Sequence, residues 1–287
     1  MFTSSIQEFT YGIIRQKEEN IIAIIQIMTN KDFYRIGRVR ISVTTEDHAI
    51  SSIREAIQNR LKGYVCISTL RTVPIANRDD KYWNVMENSL MNTPDGTPLV
   101  WCAHWWGLKQ VKRACGPHIF PRMLKMKDAG LKHFFLGDTE ETLAALTKKA
   151  TQEFGADVVG CYSPPFAPLE NYDFKAIAKM IHDSGANIVW TALRAPKQDF
   201  LNAMLVPYLN DGIVCLGVGA AFRSVIGELR QPDGFLQKIG LAGLLFKRKD
   251  SSWWNEMKWY AEHIKYLISY FFDIKRKRLM GKKYYEY

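Results

Sequence analysis

Four short segments of this 287-residue chain set chemically capable side chains beside turn-forming residues. They are Asn92-Thr93-Pro94-Asp95-Gly96, Arg113-Ala114-Cys115-Gly116, Ala195-Pro196-Lys197-Gln198-Asp199 and Gly217-Val218-Gly219-Ala220-Ala221-Phe222. Each has a plain structural reading. Pro94-Asp95-Gly96 is a preferred turn sequence, because Pro fixes φ and Gly accepts positive φ. Pro196 suits the first turn of a helix, and Arg113 near a helix end would complement the negative dipole there. Gly217-Val218-Gly219 lacks the third glycine of a dinucleotide fingerprint, yet it fits a strand-to-helix turn that lets backbone approach a phosphate. The functional alternative is ligand contact at each segment.

These segments gain meaning from the elements that carry them. Short apolar runs at 38–43, 64–68, 133–136, 157–161, 187–193 and 213–217 read as strands. Between them, helical patterns fall at 44–62, 98–112, 138–154, 174–184 and 197–209. Such alternation predicts an α/β fold, a Rossmann-like, largely parallel sheet flanked by helices. Ligands of open α/β sheets bind beyond the carboxyl ends of the strands, where these loops would lie. The apolar run 21–28 is assigned to a sheet edge, although periodicity alone does not separate strand from short helix there.

Taken in order, the four segments resemble the WecG/TagA/CpsF family, glycosyltransferase family 26, which makes bacterial cell-surface polymers. The resemblance runs from about residue 38 to 245 and includes Phe134-Phe135-Leu136-Gly137, Gly160 with Ser163-Pro164-Pro165-Phe166, Arg230 before Pro232, and Gly240-Leu241. It implies inverting, metal-independent transfer of a hexose or N-acetylhexosamine from a UDP-sugar to a polyprenyl-diphosphate-linked acceptor at the cytoplasmic face of the inner membrane. No cofactor is implied, and no two aspartates stand two apart, so an Asp-x-Asp metal motif is missing. Asp95 matches the family's general base, which would take the acceptor hydroxyl proton. Arg113, Lys197 and the turn Gly217, Gly219, Ala220, Ala221 would stabilise the departing diphosphate. Gln198 matches a glutamine of the family and would bind sugar or uracil.

Several positions depart from the family pattern. Ile67-Ser68-Thr69 replaces a Thr-Pro-Asn type segment, which moves hydroxyl contacts to Ser68 or Thr69. His118 stands where the family has an acidic residue and would donate to a diphosphate or act in proton transfer, and Phe222-Arg223 replaces Phe-Asp, with both residues expected at the substrate. Two lost carboxylates point to a different sugar. Gly240-Leu241-Ala242-Gly243 replaces Gly-Leu-Glu-Trp, and Lys247 and Arg248 would supply the charge of an arginine that aligns with Phe246.

The chain carries 39 Lys+Arg against 29 Asp+Glu, a net +10 that favours a polyanionic partner. From residue 247 onward eleven basic residues face five acidic ones, so +6 of that excess lies in the last 41 residues. Residues Trp253, Met257, Tyr260, Ile264, Leu267, Phe271 and Ile274 recur at steps of four and three, followed by Lys275-Arg276-Lys277-Arg278. This predicts an amphipathic helical appendage that binds an anionic membrane surface through Lys247, Arg248, Trp253, Trp254, Lys275, Arg276, Lys277 and Arg278, or else packs on the core with a solvated tail. The expected division is an extension at 1–37, a catalytic domain at 38–246 and the appendage at 247–287. Trp101, Trp105 and Trp106 read as core or subunit packing, which allows a homo-oligomer, or as an acceptor platform.

No secretory signal pattern opens the chain, and no apolar run is long enough to span a bilayer. The five cysteines form no Cys-x-x-Cys pair and have no histidine at zinc-finger spacing, so they read as reduced thiols. A nucleic-acid-binding protein using the basic aromatic tail is the competing reading, and an inactive scaffold of the same fold a third.

Overall fold

Strand residues of this chain point alternately to two apolar layers. Tyr64, Cys66, Phe134, Leu136, Val189 and Cys215 join one buried cluster, while Val65, Ile67, Phe135, Ile188, Trp190, Val214 and Leu216 join the other. A period of two with both faces apolar requires a sheet covered on both sides. The computed structural model describes residues 33–127, 129–229 and 253–286, excepting the side chains of 253–260 and 263. It contains that sheet, with six parallel strands in the order β4-β3-β8-β7-β5-β6. These are β3 (Gly63–Ser68), β4 (Met91–Pro94), β5 (Lys132–Gly137), β6 (Asp157–Tyr162), β7 (Ile188–Ala192) and β8 (Val214–Gly217).

The expected strand at 38–43 forms, but outside this sheet. Residues β1 (Phe33–Ile36) and β2 (Val39–Ser42) make an antiparallel hairpin whose turn holds Gly37 at φ +60°. A Cβ at Gly37 would lie 2.3 Å from Oδ1 of Asn77, which accepts the Arg38 amide. The hairpin straddles residue 37, where the sequence placed a boundary. The apolar run at 21–28 lies outside the described residues.

Helices α1 (Glu46–Gln58), α2 (Thr72–Arg78), α3 (Asp80–Glu87), α4 (Thr97–Trp106), α5 (Gly116–Leu124), α6 (Glu140–Lys149), α7 (Phe174–Ser184), α8 (Lys197–Leu205) and α9 (Ala221–Val225) flank the sheet. Side-chain caps start several of them: Thr45 accepts from the His48 amide, Thr139 from Thr142, and Asp173 from Ala176. Helix α4 stops at Gly107, held at φ 96°, and not at residue 112 as its apolar run implied. Strand β4 and helices α2, α3 and α5 were not legible in the sequence. Met91-Asn92-Thr93-Pro94 is short and polar, and its burial comes from pairing with β3.

Connections from two adjacent strands leave in opposite directions. After β3 the chain enters α2 and α3, whose Val73, Ala76, Tyr82 and Val85 belong to the first layer. After β8 it enters α9, whose Ala221, Phe222 and Val225 belong to the second. In open α/β sheets such a divergence marks the usual ligand position, here at the carboxyl ends of β3 and β8.

The C-terminal helix α10 (Trp253–Leu279) docks on the first layer. Tyr270 and Ile274 are buried, Tyr270 accepts a hydrogen bond from Asn77 Nδ2 at 3.2 Å, and Phe271 meets Trp105 edge-on at 4.9 Å. Trp105 is therefore a packing residue, as is buried Trp106, whose indole N–H donates to the Arg35 carbonyl at 3.2 Å. A second apolar stripe, Ile264, Ile268, Phe272 and Leu279, is left in solvent, with Ile264 53% and Phe272 62% exposed. Among the described residues, no helix is long and apolar enough to cross a membrane.

One buried carboxyl sits in this core. Asp199 on α8 accepts from the Tyr82 hydroxyl at 2.6 Å, and burial pushes its pKa up to about 7 despite that bond and one from Cys66. A carboxyl held protonated by the fold binds its proton more tightly than in the unfolded chain, so stability falls as pH rises from about 4 toward about 7. Melting scans across that range should show wild-type Tm dropping relative to Asp199→Asn. Parallel curves for the two proteins would mean that Asp199 is not buried with its charge at stake.

Candidate active site

Asp95 follows β4 directly, and two backbone bonds fix where it stands. Its amide donates to the Ser68 carbonyl at 2.8 Å, and the Ala114 amide donates to the Pro94 carbonyl at 2.9 Å. The second bond draws the 113–116 segment alongside β4 and sets the Arg113 Nη2 and Nε atoms 3.3 and 3.4 Å from Asp95 Oδ1. The two side chains are 19% and 24% exposed, so the pair is shielded yet open to a ligand. Burial raises the Asp95 pKa to about 6, with Arg113 pulling it down and Glu46 adding a small upward push. A carboxylate with this pKa is ionised at neutral pH and still basic enough to accept a proton.

At the end of β8, Gln198 lies against Gly217 and against Gly219 in the turn that follows. A Cβ at Gly217 would come within 2.7 Å of Gln198 Nε2, and one at Gly219 would lie 3.5 Å from Oε1. Gln198 is 3% exposed, and its Oε1 has no hydrogen-bond partner among the described residues. The Ser68 hydroxyl, at the end of β3, is likewise buried and unpartnered. Desolvated polar atoms without partners are costly in a folded protein, which keeps these two as candidates for ligand contact. The Thr93 hydroxyl on β4 shares this property and was missed in the sequence, where it read as part of a turn.

Other expected contacts are directed elsewhere. Thr69 Oγ1 accepts from the Arg71 and Thr72 amides, which spends it on starting α2. Lys197 Nζ donates to the Ala167 carbonyl at 2.6 Å and lies over the Phe166 and Tyr172 rings. Ala221 and Phe222 are buried, with Phe222 packed against Phe120 and Phe135 in the second layer, so both are core residues. In the glycine turn, the Val218 and Gly219 amides donate to the Thr191 carbonyl and that of Ala221 to the Val218 carbonyl. That leaves Ala220 as the residue of the turn whose amide is not used in this way. Arg223 forms a two-pronged ion pair with Asp138 at 2.7 and 3.0 Å, which draws its charge to the end of β5.

His118, on the first turns of α5, pairs through Nδ1 with Glu46 Oε1 at 2.7 Å, and Arg122 reaches Glu46 Oε2 at 3.5 Å. Glu46, at the start of α1, was not singled out in the sequence because its partners lie 72 and 76 residues away.

Residues 34–248 match the glycosyl transferase WecG/TagA/CpsF family, which covers most of the chain. The chain belongs to the WecG/TagA/CpsF glycosyltransferase family. It is accordingly a transferase of cell-surface polysaccharide synthesis, acting on a sugar donor and an acceptor. The WecG/TagA/CpsF match begins inside the β1–β2 hairpin, so the hairpin belongs to the matched region. Arg230, Pro232, Gly240, Leu241, Lys247 and Arg248 lie outside the described residues, as do the side chains of Trp253 and Trp254.

Of the basic tail residues, Lys275 and Arg276 face solvent. Lys277 is 11% exposed and pairs with Asp273 at 2.9 Å, while Arg278 donates to the Trp105 carbonyl. The Lys277 pair lies within α10, whereas the Arg278 bond ties the helix to α4, so both charges already have protein partners.

Proposed function

We propose that the protein transfers a hexose or N-acetylhexosamine from a UDP-sugar to a polyprenyl-diphosphate-linked acceptor, with inversion and with Asp95 as general base. The Asp95–Arg113 pair at the sheet rim carries this reading. Arg113 orients the carboxylate and favours its ionised, proton-accepting form. Asp95 takes the acceptor hydroxyl proton as that oxygen attacks the anomeric carbon, and the C–O bond to UDP breaks on the opposite side. UDP is a good leaving group, so a general acid is not required. Ser68 and Gln198 supply hydrogen bonds to the sugar or the uridine, and Gly217 and Gly219 leave room for close approach.

The acceptor's lipid gives the appendage a role. The exposed stripe Ile264, Ile268, Phe272 and Leu279, with Lys275 and Arg276 beside it, suits the interface of an anionic cytoplasmic membrane face. The docked face and the free stripe lie on one helix, so core packing and membrane contact need not exclude each other.

A panel of UDP-sugars tested by thermal shift, followed by assay of the stabilising donor with a polyprenyl-diphosphate-linked sugar, checks the reading. One donor should raise Tm and give product in a chelator-treated reaction. Absence of stabilisation by every UDP-sugar, together with tight salt-sensitive RNA binding, would favour the nucleic-acid alternative. Gly217→Ala should fold normally, since φ there is ordinary, but its new methyl displaces the Gln198 amide. Donor Kd is expected to rise about tenfold or more. Unchanged donor affinity would remove Gln198 from the binding site.

A further inference from the structure

Three side chains with metal-ligating atoms converge beside the Asp95–Arg113 pair without taking part in the chemistry assigned above. Glu46 Oε1, Cys115 Sγ and His118 Nδ1 all lie within 4.8 Å of one another. Glu46 Oε1 is 2.7 Å from the imidazole nitrogen and 3.9 Å from the thiol sulfur. Cys115 is the residue that caps α5, and His118 lies one turn on, so the helix geometry brings both to the same end of α5. The sequence expectation that no cysteine has a histidine at metal-ligand spacing is corrected by Cys115-Gly116-Pro117-His118, whose third partner comes from α1, 69 residues from Cys115.

We propose that Glu46, Cys115 and His118 form a binding site for a borderline-soft divalent cation, with Zn2+ as the fitting ion. Sulfur, imidazole nitrogen and carboxylate oxygen together select such an ion over Mg2+ or Ca2+, which prefer oxygen ligands. Zinc takes these three atom types at about 2.0–2.3 Å in a tetrahedron, which requires the 2.7 Å contact between carboxylate oxygen and imidazole nitrogen to open by roughly 0.6 Å as the ion replaces their hydrogen bond. Cys115 is buried and closes the inner side, whereas the Glu46 and His118 side chains are 22% and 40% exposed and leave the outer side open. Three protein ligands leave a fourth position for water or a phosphate oxygen. Charge also balances there. Thiolate and carboxylate cancel the ion's two charges, while Arg122 holds the other Glu46 oxygen and pairs with Asp47. Binding releases the thiol proton of Cys115 to solvent. The inference concerns binding and does not rest on the transferase reading.

Titration of the full-length, untagged, reduced chain with Co2+, a spectroscopic stand-in for Zn2+, tests it. One equivalent should produce a thiolate-to-cobalt charge-transfer band in the near ultraviolet and intense tetrahedral bands in the visible. Zn2+ should abolish both bands, and excess Mg2+ neither. Cys115→Ser, nearly isosteric, should lose the ultraviolet band. His118→Asn, a change at a half-exposed ring, should weaken Co2+ binding at least about tenfold. Cys161→Ser removes the exposed cysteine and should change nothing. A folded wild-type chain that gives no charge-transfer band overturns the proposal, as does a band that survives in Cys115→Ser.

Discussion

Asp95→Asn is expected to lower kcat by about 10²–10⁴-fold, the usual contribution of a positioned general base. The amide keeps the shape of the carboxylate but accepts no proton at neutral pH. Donor binding should persist, because Ser68, Gln198 and the β8 glycines are untouched. The variant should also fold well. Since burial raises the Asp95 pKa to about 6, the native state holds that proton more tightly than the unfolded chain, and ionised Asp95 costs stability above pH 6. Asparagine removes this cost, so Tm at about pH 7.5 should be equal to or above that of the wild type.

The same shift sets the wild-type pH profile. The base works ionised, so kcat/KM should fall about tenfold per unit below pH 6 and level off above it. Steady-state transfer assays across pH, with donor binding and melting measured on the same proteins, check each part. Undiminished turnover by Asp95→Asn would take Asp95 out of the mechanism, and an acidic limb that persists with Asp199→Asn would exclude Asp199 as its source.

The second large effect concerns the membrane. Ile264→Ser, Ile268→Ser and Phe272→Ser combined should reduce partitioning onto anionic liposomes by at least about 100-fold. Each apolar side chain contributes roughly 1.5–3 kcal/mol when fully buried, and partial insertion of three keeps the sum above the required few kcal/mol. All three are more than half exposed, so the soluble fold and hydrolysis-independent donor binding should survive. Transfer to a lipid-embedded acceptor should drop, while transfer to a short-chain, detergent-free acceptor should not. Co-sedimentation equal to wild type would show that this stripe does not meet the bilayer. Loss of binding on Lys275→Glu and Arg276→Glu alone, with the serine variant unaffected, would assign the contact to charge without insertion.

Much of the architecture was written locally. Strands β3, β5, β6, β7 and β8 and helices α1, α6, α7 and α8 follow from apolar period and capping residues, and those signals act over a few residues. Asp95, Arg113 and Gln198 were named as candidates from the order of their segments along the chain, and the structure brings Asp95 to Arg113 and Gln198 to Gly217. The sequence determined a basic amphipathic helix at the C-terminus as well.

What it left open depended on contacts between distant residues. Strand β4 is polar and short, and only pairing with β3 makes it a strand. Phe222 follows a glycine turn expected to meet substrate, yet Phe120 and Phe135 take it into the core. Arg223 and Lys197 read as free cations, until Asp138 and the Ala167 carbonyl claim them. Helix α10 carries two apolar faces, and only its docking on Trp105 and Asn77 decides which one remains for another surface. Periodicity names an element and its apolar positions. Which partner satisfies a given charge or hydroxyl is fixed by neighbours that the chain brings together only on folding, because burial and hydrogen bonding act through space.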